Sequence, residues 1–373
     1  MDKKENKKVS VATNKKASKI LIASVCALIA LILVFFALLT VFSGKAVMEY
    51  GAIKADEKMY SFWLSYFKKE LMKEHNIEGK FDTEEFWQSE FKDGLSYGEY
   101  FEQMADERIK AKLVAANMYD SFGQGLPDYA VEDINNYLSE LVDFIGDGSK
   151  KNFNVIAAKY GTDYDAVKRV AICDYKAELL FNLTYGADGS YITDEEKDEY
   201  YKENYSRVKV IFINTSSEEL SESERDEKNK MIEKLDLIFE QRVSDERFTS
   251  LMGIYSEDSA SAYYENGFYL SPLSDYPIEE VKYAAISMEI GECKKVESDY
   301  GVHYVFKLEL DDRAYENEDN SDWFDSFIYD ASLELFDSSI KEKVNEVRVN
   351  EKEKCKVSFT KIKYNYEIKP LMN

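Results

Sequence analysis

The 373-residue chain is poor in histidine, cysteine and proline, with two, four and four of each. Two imidazoles leave little room for a histidine metal centre or a histidine-based catalytic triad. Four cysteines are too few for a disulfide scaffold in a chain this long, and they show no metal-ligand spacing. Four prolines exclude collagen-like and polyproline architectures. Basic charge is also short. Lys and Arg number 48 against 72 Asp and Glu, a net −24, which is the reverse of the basic face that nucleic acid requires. What the chain does have is apolar and aromatic residues, 45% and 14% of the total. With this length they can build two or three domains, each with a real core.

The charge is divided at one point. Residues 1–19 carry seven Lys against Asp2 and Glu5, a net +5, which leaves −29 on the rest. Between the two regions Ile20 to Phe42 reads ILIASVCALIALILVFFALLTVF, 23 residues without a charge. As a helix this run would span about 35 Å, enough to cross a bilayer. The Lys-rich side faces the cytoplasm and the acidic remainder lies outside. A cleaved signal peptide has an apolar core of about 7–15 residues, so the longer run is read as a retained anchor. Cys26 lies in its middle behind Val25, which does not suit a lipoprotein signal. The other three cysteines, Cys173, Cys293 and Cys355, permit at most one disulfide, and none is assigned.

Residues 56–206 have a helical pattern. Phe101, Ala105, Ile109, Leu113 and Ala116 recur at three- and four-residue spacing, as the buried face of one long helix requires. Thr162 with Asp165, and Thr193 with Glu196, have capping-box spacing. Gly123, Gly125 and Pro127 break one helix from the next, as do Gly146 to Gly148. At Arg207 the period changes. RVKVIFIN over Arg207 to Asn214 is a β-branched and aromatic strand. It is followed by an acidic loop, a helix carrying Met231, Leu235 and Phe239, and a second helix over Asp245 to Tyr255. A third helix, Val281 to Met288, precedes strands over Lys294 to Glu297 and Val302 to Glu309. The order β-α-α-α-β-β predicts a compact α+β domain with an antiparallel sheet. Beyond an acidic linker, an amphipathic helix runs from Phe324 to Val344, and an alternating strand carries Val357, Phe359, Ile362 and Tyr364.

Four segments of the α+β region, in order, resemble the parvulin-type peptidyl-prolyl isomerases. They are Phe248-x-x-Leu251-x-x-x-Tyr255-Ser256-Glu257-Asp258, Gly267-Phe268-Tyr269, Ala284-Ala285-Ile286-Ser287-Met288-x-x-Gly291-Glu292, and Tyr300-Gly301-Val302-His303-Tyr304-Val305. The flanks are similar to foldases of the PrsA and SurA type. Val47 to Ile53 resembles the entry to their chaperone domain, and Thr193-Asp194-Glu195-Glu196 with Tyr200-Tyr201-x-x-Asn204 resembles the helix leading into their isomerase domain. The resemblance covers about residues 46–365. It implies a basic cytoplasmic tail (1–19), a transmembrane helix (20–42), a helical chaperone-like domain (46–206), an inserted parvulin-like domain (207–312) and a C-terminal helix and strand packing back on the helical domain (313–373). The implied home is a bacterial cytoplasmic membrane, with the C-terminal part outside.

That resemblance also implies a site. Asp258 falls on the family's Cys/Asp position and His303 on its second histidine. Val210, Asn266, Tyr269, Val281 and Met288 fall on substrate-binding positions. At the family's first histidine this chain has Val210, which cannot hydrogen-bond, and Val281 stands for a pocket Phe. The remaining histidine, His75, belongs to the helical region. His303 can equally be a packed core histidine bonded to Asp258, and Asp258 a turn cap. The expected partners are unfolded, newly secreted chains with X-Pro bonds, and the lipid bilayer through residues 20–42. Exposed Tyr and Phe of the helical region are candidates for holding such chains. No nucleic acid, metal or cofactor is expected, and a homodimer is left open. Asp143 to Gly148 starts like an EF-hand, but Ile145 and Asn154 occupy ligand positions. The acidic loop lacks the cations that a phosphate-reading isomerase needs. Two functions remain: an extracytoplasmic foldase that isomerises X-Pro bonds, or a catalytically silent chaperone of the same build.

Overall fold

The computed structural model describes residues 45–77, 83–216, 220–259 and 264–372. The expected membrane helix at Ile20–Phe42 lies outside the described residues. The chain divides into two compact units, one formed by Met1–Leu180 with Ser339–Asn373 and the other by Phe181–Ser338. The division expected at 206/207 lies inside the second. The class is mixed α+β with antiparallel sheets.

In the first unit, strands β1 (Ala46–Tyr50) and β2 (Ile53–Asp56) form a hairpin, and β9 (Arg348–Val349) joins β1 on its other side. Helix α1 (Glu57–Glu74) is capped by the Asp56 carboxylate, which accepts from the Met59 N–H. After the short helix α2 (Glu84–Gln88) and the small hairpin of β3 (Glu90–Lys92) and β4 (Leu95–Ser96) comes α3 (Tyr97–Ser121). The predicted stripe of α3, Phe101, Ala105, Ile109, Leu113 and Ala116, is fully buried. Helices α4 (Asp128–Phe144), α5 (Lys150–Ala157) and α6 (Tyr164–Thr184) follow; the predicted glycines lie at the breaks before α4 and before α5, and Gly161, not foreseen, lies at the break before α6.

Two expectations fail here. Helix α6 is capped by Asp163, whose carboxylate accepts from the Ala166 N–H at 2.9 Å, rather than by Thr162. The short acid sits one residue nearer the helix and takes the free N–H first. The terminal strand also does not form. Val357, Phe359, Ile362 and Tyr364 lie in turns and irregular chain. There the Lys68 ammonium donates to the carbonyls of Thr360, at 3.4 Å, and Ile362, at 2.9 Å, and Phe359 is buried. Side-chain capture of the carbonyls replaces a ladder.

The second unit begins within α6 and continues through α7 (Asp194–Asn204), whose Thr193–Glu196 capping box is present as predicted. Strand β5 (Ser206–Asn214) leads to α8 (Glu222–Phe239) and α9 (Asp245–Tyr255), then β6 (Phe268–Leu270), α10 (Glu279–Ser287), β7 (Cys293–Ser298) and β8 (Gly301–Leu308). The observed order is β-α-α-β-α-β-β, because the stretch read as a turn at Gly267 continues into β6. Sheet order is β6-β5-β8-β7 with every pair antiparallel. The linker holds short 3₁₀ turns, Ala314–Glu316 and Glu318–Trp323, before α11 (Phe327–Val344). Helix α12 (Glu351–Lys354) belongs to the first unit.

Candidate functional site

The four-stranded sheet is buried on both faces, and strand alternation sorts its residues. One face carries Ile211, Ile213, Val302, Tyr304, Phe306 and Leu308 against Leu235, Phe248, Leu251 and Met252 of α8 and α9. Lys209 also points to this side, its ammonium held by the Asp245 carboxylate and by Thr249 Oγ1 at 2.8 Å. The other face carries Val208, Val210 and Val305, with Phe268 and Leu270 of β6, against Val281, Ala284, Ala285 and Met288 of the α10 segment. The candidate site lies on this second face.

His303 occupies one cross-strand row with Val296 of β7 and Phe212 of β5. It is 1% exposed. Its ring stacks on Phe212 with centroids 4.8 Å apart and planes 18° from parallel. At the ring edge, Nε2 lies 2.8 Å from Ser298 Oγ, and that hydroxyl oxygen also accepts from the Tyr300 N–H at 3.1 Å. The β7–β8 turn that permits this needs Gly301. Its φ is +145°, and a Cβ there would meet the Ile213 carbonyl oxygen at 2.2 Å. Burial holds the His303 pKa below its ordinary 6.5, while Glu280 and Asp258 act in the opposite direction. The imidazole is therefore predominantly neutral at pH 7.

Asp258 is exposed and follows α9 in a turn that is tied to β5. The Glu257 N–H donates to the Phe212 carbonyl at 2.7 Å, and the Phe212 N–H donates to Ser256 Oγ at 3.2 Å. The Asn214 N–H donates to Glu257 Oε2 at 2.7 Å, and Lys228 pairs with the same carboxylate. Strand β6 pairs with β5 only from Ser206 to Val208, so the turn satisfies backbone groups farther along β5. Burial, with Asp258 and Tyr264 contributing, pushes the Tyr276 hydroxyl up to about 12.

The predicted substrate-binding residues separate. Val210, Val281 and Met288 share one apolar cluster, with Tyr264, Tyr276 and Trp323 packed against it. Phe268 supplies its centre, stacked on Tyr276 at 5.5 Å and on Trp323 at 5.1 Å. Val210 is paired with Val305, one row along the same face from Phe212 and His303. Tyr269 lies elsewhere. It is 3% exposed in a second cluster with Tyr201, Tyr205 and Phe324, and its hydroxyl donates to Asp311 Oδ2 at 2.7 Å. A one-residue step along a strand reverses the face, so Phe268 takes the place expected of Tyr269. Asn266 is exposed, and its carbonyl accepts from Arg207 Nε at 2.9 Å. Phe212, Ser298, Phe268, Tyr276 and Trp323 were not foreseen. For Phe212 a signal existed, since it is two residues from Val210 on the same strand. For Trp323 there was none.

The arrangement offers an apolar floor beside a neutral imidazole and a carboxylate. Val210, Val281, Met288 and His303 are all at most 9% exposed, so a peptide segment would be desolvated there and meet the imidazole only where the side chains packed on the cluster give way to it, and no nucleophile would be needed. Among the described residues no group of three His, Cys, Asp or Glu could hold a metal ion.

No protein-family model and no curated protein matches the chain. Solved structures do. It is similar to PrsA from Bacillus subtilis, with 19% identity, 69% of this chain and 90% of that one covered, and a TM-score of 0.23. Similarity to the peptidylprolyl isomerase PrsA from Bacillus cereus has 19% identity over 71% and 94% of the two chains, with a TM-score of 0.27. A SurA-like chaperone structure from Campylobacter jejuni has 16% identity over 69% and 93%, with a TM-score of 0.22. These PrsA and SurA-like proteins are of the class that the chain's motifs resemble. At such TM-scores the likeness bears no functional weight, and the residues on the sheet face must carry the reading.

Proposed function

We propose that this chain is a membrane-anchored extracytoplasmic foldase that binds unfolded polypeptide and turns over X-Pro bonds on the Val210–Val281–Met288 face of its sheet. The observation that supports this is the placement of His303 beside that apolar cluster, with the charges of Asp258 and Glu280 acting on it. Rotation about an X-Pro amide meets a barrier of roughly 18–20 kcal/mol set by resonance. A site lowers it by binding the twisted amide better than the planar one, at about 1.4 kcal/mol per tenfold in rate. Here the apolar cluster, buried as it stands, would part to take the proline ring and hold it away from water. His303 would hydrogen-bond the amide as it loses conjugation, and Asp258 would hold the segment at the exposed edge. Residues 20–42 would keep the domain at the membrane where secreted chains emerge.

A second reading is favoured by Val210. With no hydrogen-bonding atom at that position, the sheet face could bind proline segments without accelerating them, leaving a chaperone or scaffold. Proline-limited refolding of a client with the full-length chain separates the two. Acceleration above the buffer control that is lost in His303→Ala supports the foldase. A rate equal to the control, together with suppressed aggregation of the client, leaves binding alone.

A further inference from the structure

Phe212 touches both halves of the candidate site, one through its ring and the other through its backbone. Its ring lies against His303 from the neighbouring strand at 4.8 Å. Its N–H and carbonyl both bond to the Ser256–Glu257 turn immediately before Asp258, at 3.2 and 2.7 Å. An imidazole held only at one edge can still rotate about its side-chain bonds. Ser298 Oγ fixes one edge of His303, at Nε2, and the stacked phenyl fixes the plane, so the two constraints together leave one orientation. With the phenyl stacked on its face, the imidazole is hindered from turning about its Cβ–Cγ bond to swap the nitrogen it presents to Ser298. On the other side, two backbone bonds to one strand residue set the register of the turn, and with it the starting point of the Asp258 side chain.

We infer that Phe212 is the positioning residue of this site, its ring orienting His303 and its backbone placing the turn that carries Asp258. This rests on the proposed reading of His303 and Asp258 as the groups that meet substrate. It assigns to a carbon ring on the central strand an orienting task that Val210 cannot perform.

The test uses the full chain with Phe212→Leu, which removes the ring, and Phe212→Tyr, which keeps it. Phe212→Met replaces the leucine variant if that one does not fold. With only two histidines in the chain, the ¹⁵N signals of the His303 ring can be assigned by their disappearance in His303→Gln. The groups facing this imidazole are Ser298, Asp258 and Glu280, and all are retained in these variants. Wild type and Phe212→Tyr are expected to show one dominant neutral tautomer at pH 7.5, and Phe212→Leu an averaged mixture of two. Isomerisation of a proline peptide should fall about tenfold in kcat/KM for Phe212→Leu and stay within about twofold for Phe212→Tyr. An unchanged tautomer in Phe212→Leu overturns the assignment, whatever happens to activity, as does a tyrosine variant that behaves like the leucine one. If wild type shows no isomerisation but the tautomer still mixes in Phe212→Leu, the positioning role stands and the foldase reading falls.

Discussion

The Lys68 ammonium donates to the Ile362 carbonyl at 2.9 Å inside a ring of aromatic side chains. Trp87, Tyr364 and Phe359 have their centroids 4.9, 5.0 and 5.4 Å from Nζ. Lys68 has no exposed surface. Its cation is stabilised by carbonyl dipoles and ring quadrupoles, and it thereby joins α1 to the last segment of the chain.

Removing that cation strips two carbonyls of a charged donor. Lys68→Met keeps the stem's packing and should cost about 2 kcal/mol, because each abandoned buried acceptor costs on the order of 1–3 kcal/mol while the charge's own desolvation is recovered. Urea unfolding followed by Trp63 and Trp87 emission in a Trp323→Phe background measures it. A midpoint unchanged from wild type would show that the aromatic shell alone holds the segment.

This segment also shows where reading from sequence stopped. Val357, Phe359, Ile362 and Tyr364 have the period of a strand, but a lysine nearly three hundred residues earlier takes the carbonyls that a ladder would use. No local pattern contains that information. By contrast the stripe of α3, the Thr193 capping box and the β-branched run of β5 were legible, because each is fixed by neighbours within one element. In the candidate site, the motifs point to His303 and Asp258. Phe212 and Ser298 reach His303 through cross-strand register, and Tyr269 lies one step of strand parity from Phe268, in a different cluster.

Asp174 is buried on α6, and its carboxylate lies 3.1 Å from the Lys112 ammonium. Burial raises its pKa in spite of Lys112. An acid whose folded pKa exceeds the unfolded value binds more protons folded than unfolded, so its contribution to stability falls as pH rises through that interval. Lys112→Met should destabilise the first unit by about 3 kcal/mol at pH 7 by leaving the carboxylate unpaired, whereas Asp174→Asn should be far milder. Comparable losses in the two variants, read by urea unfolding at pH 7, would contradict this ordering.

For His303 the sign is opposite in its origin. Its folded pKa lies below 6.5 because burial disfavours the imidazolium. The unfolded chain therefore takes up the proton first as pH falls, and stability is lost from 6.5 downward through the folded pKa. Thermal unfolding at pH 7.5 and pH 5 should show a drop in wild type that is smaller in His303→Gln. Equal drops would place the titrating group elsewhere.

Gly301 is the hinge on which this histidine's strand turns. Alanine there meets the Ile213 carbonyl at 2.2 Å and the Thr215 nitrogen at 2.8 Å, with φ already at +145°. Both obstacles are backbone, so no side chain can yield. Gly301→Ala should cost on the order of 3 kcal/mol and loosen the β5–β8 pairing at that end. Amide exchange at Ile213 and Val302, the hydrogen-bonded pair of β5 and β8 at that end, is the direct measure. Retained protection there would mean that the turn has another conformation available.

Val210→His tests what the sheet face lacks. Val210 sits opposite Val305, one row from the His303–Phe212 pair, so a new imidazole would be a diagonal neighbour of the existing one, within reach of long or aromatic side chains. It would also enter a cluster of Val208, Phe268, Val281 and Met288, and a polar ring buried there costs about 1–3 kcal/mol unless it finds a partner. The two effects compete. If His303 or Asp258 supplies the partner, the variant should lose about 1 kcal/mol of stability, and its isomerisation rate should rise about tenfold, the gain that about 1.4 kcal/mol of added transition-state stabilisation gives. A loss near 3 kcal/mol with no gain in rate would mean that the imidazole stays unpartnered. The apolar character of Val210 would then be required by packing.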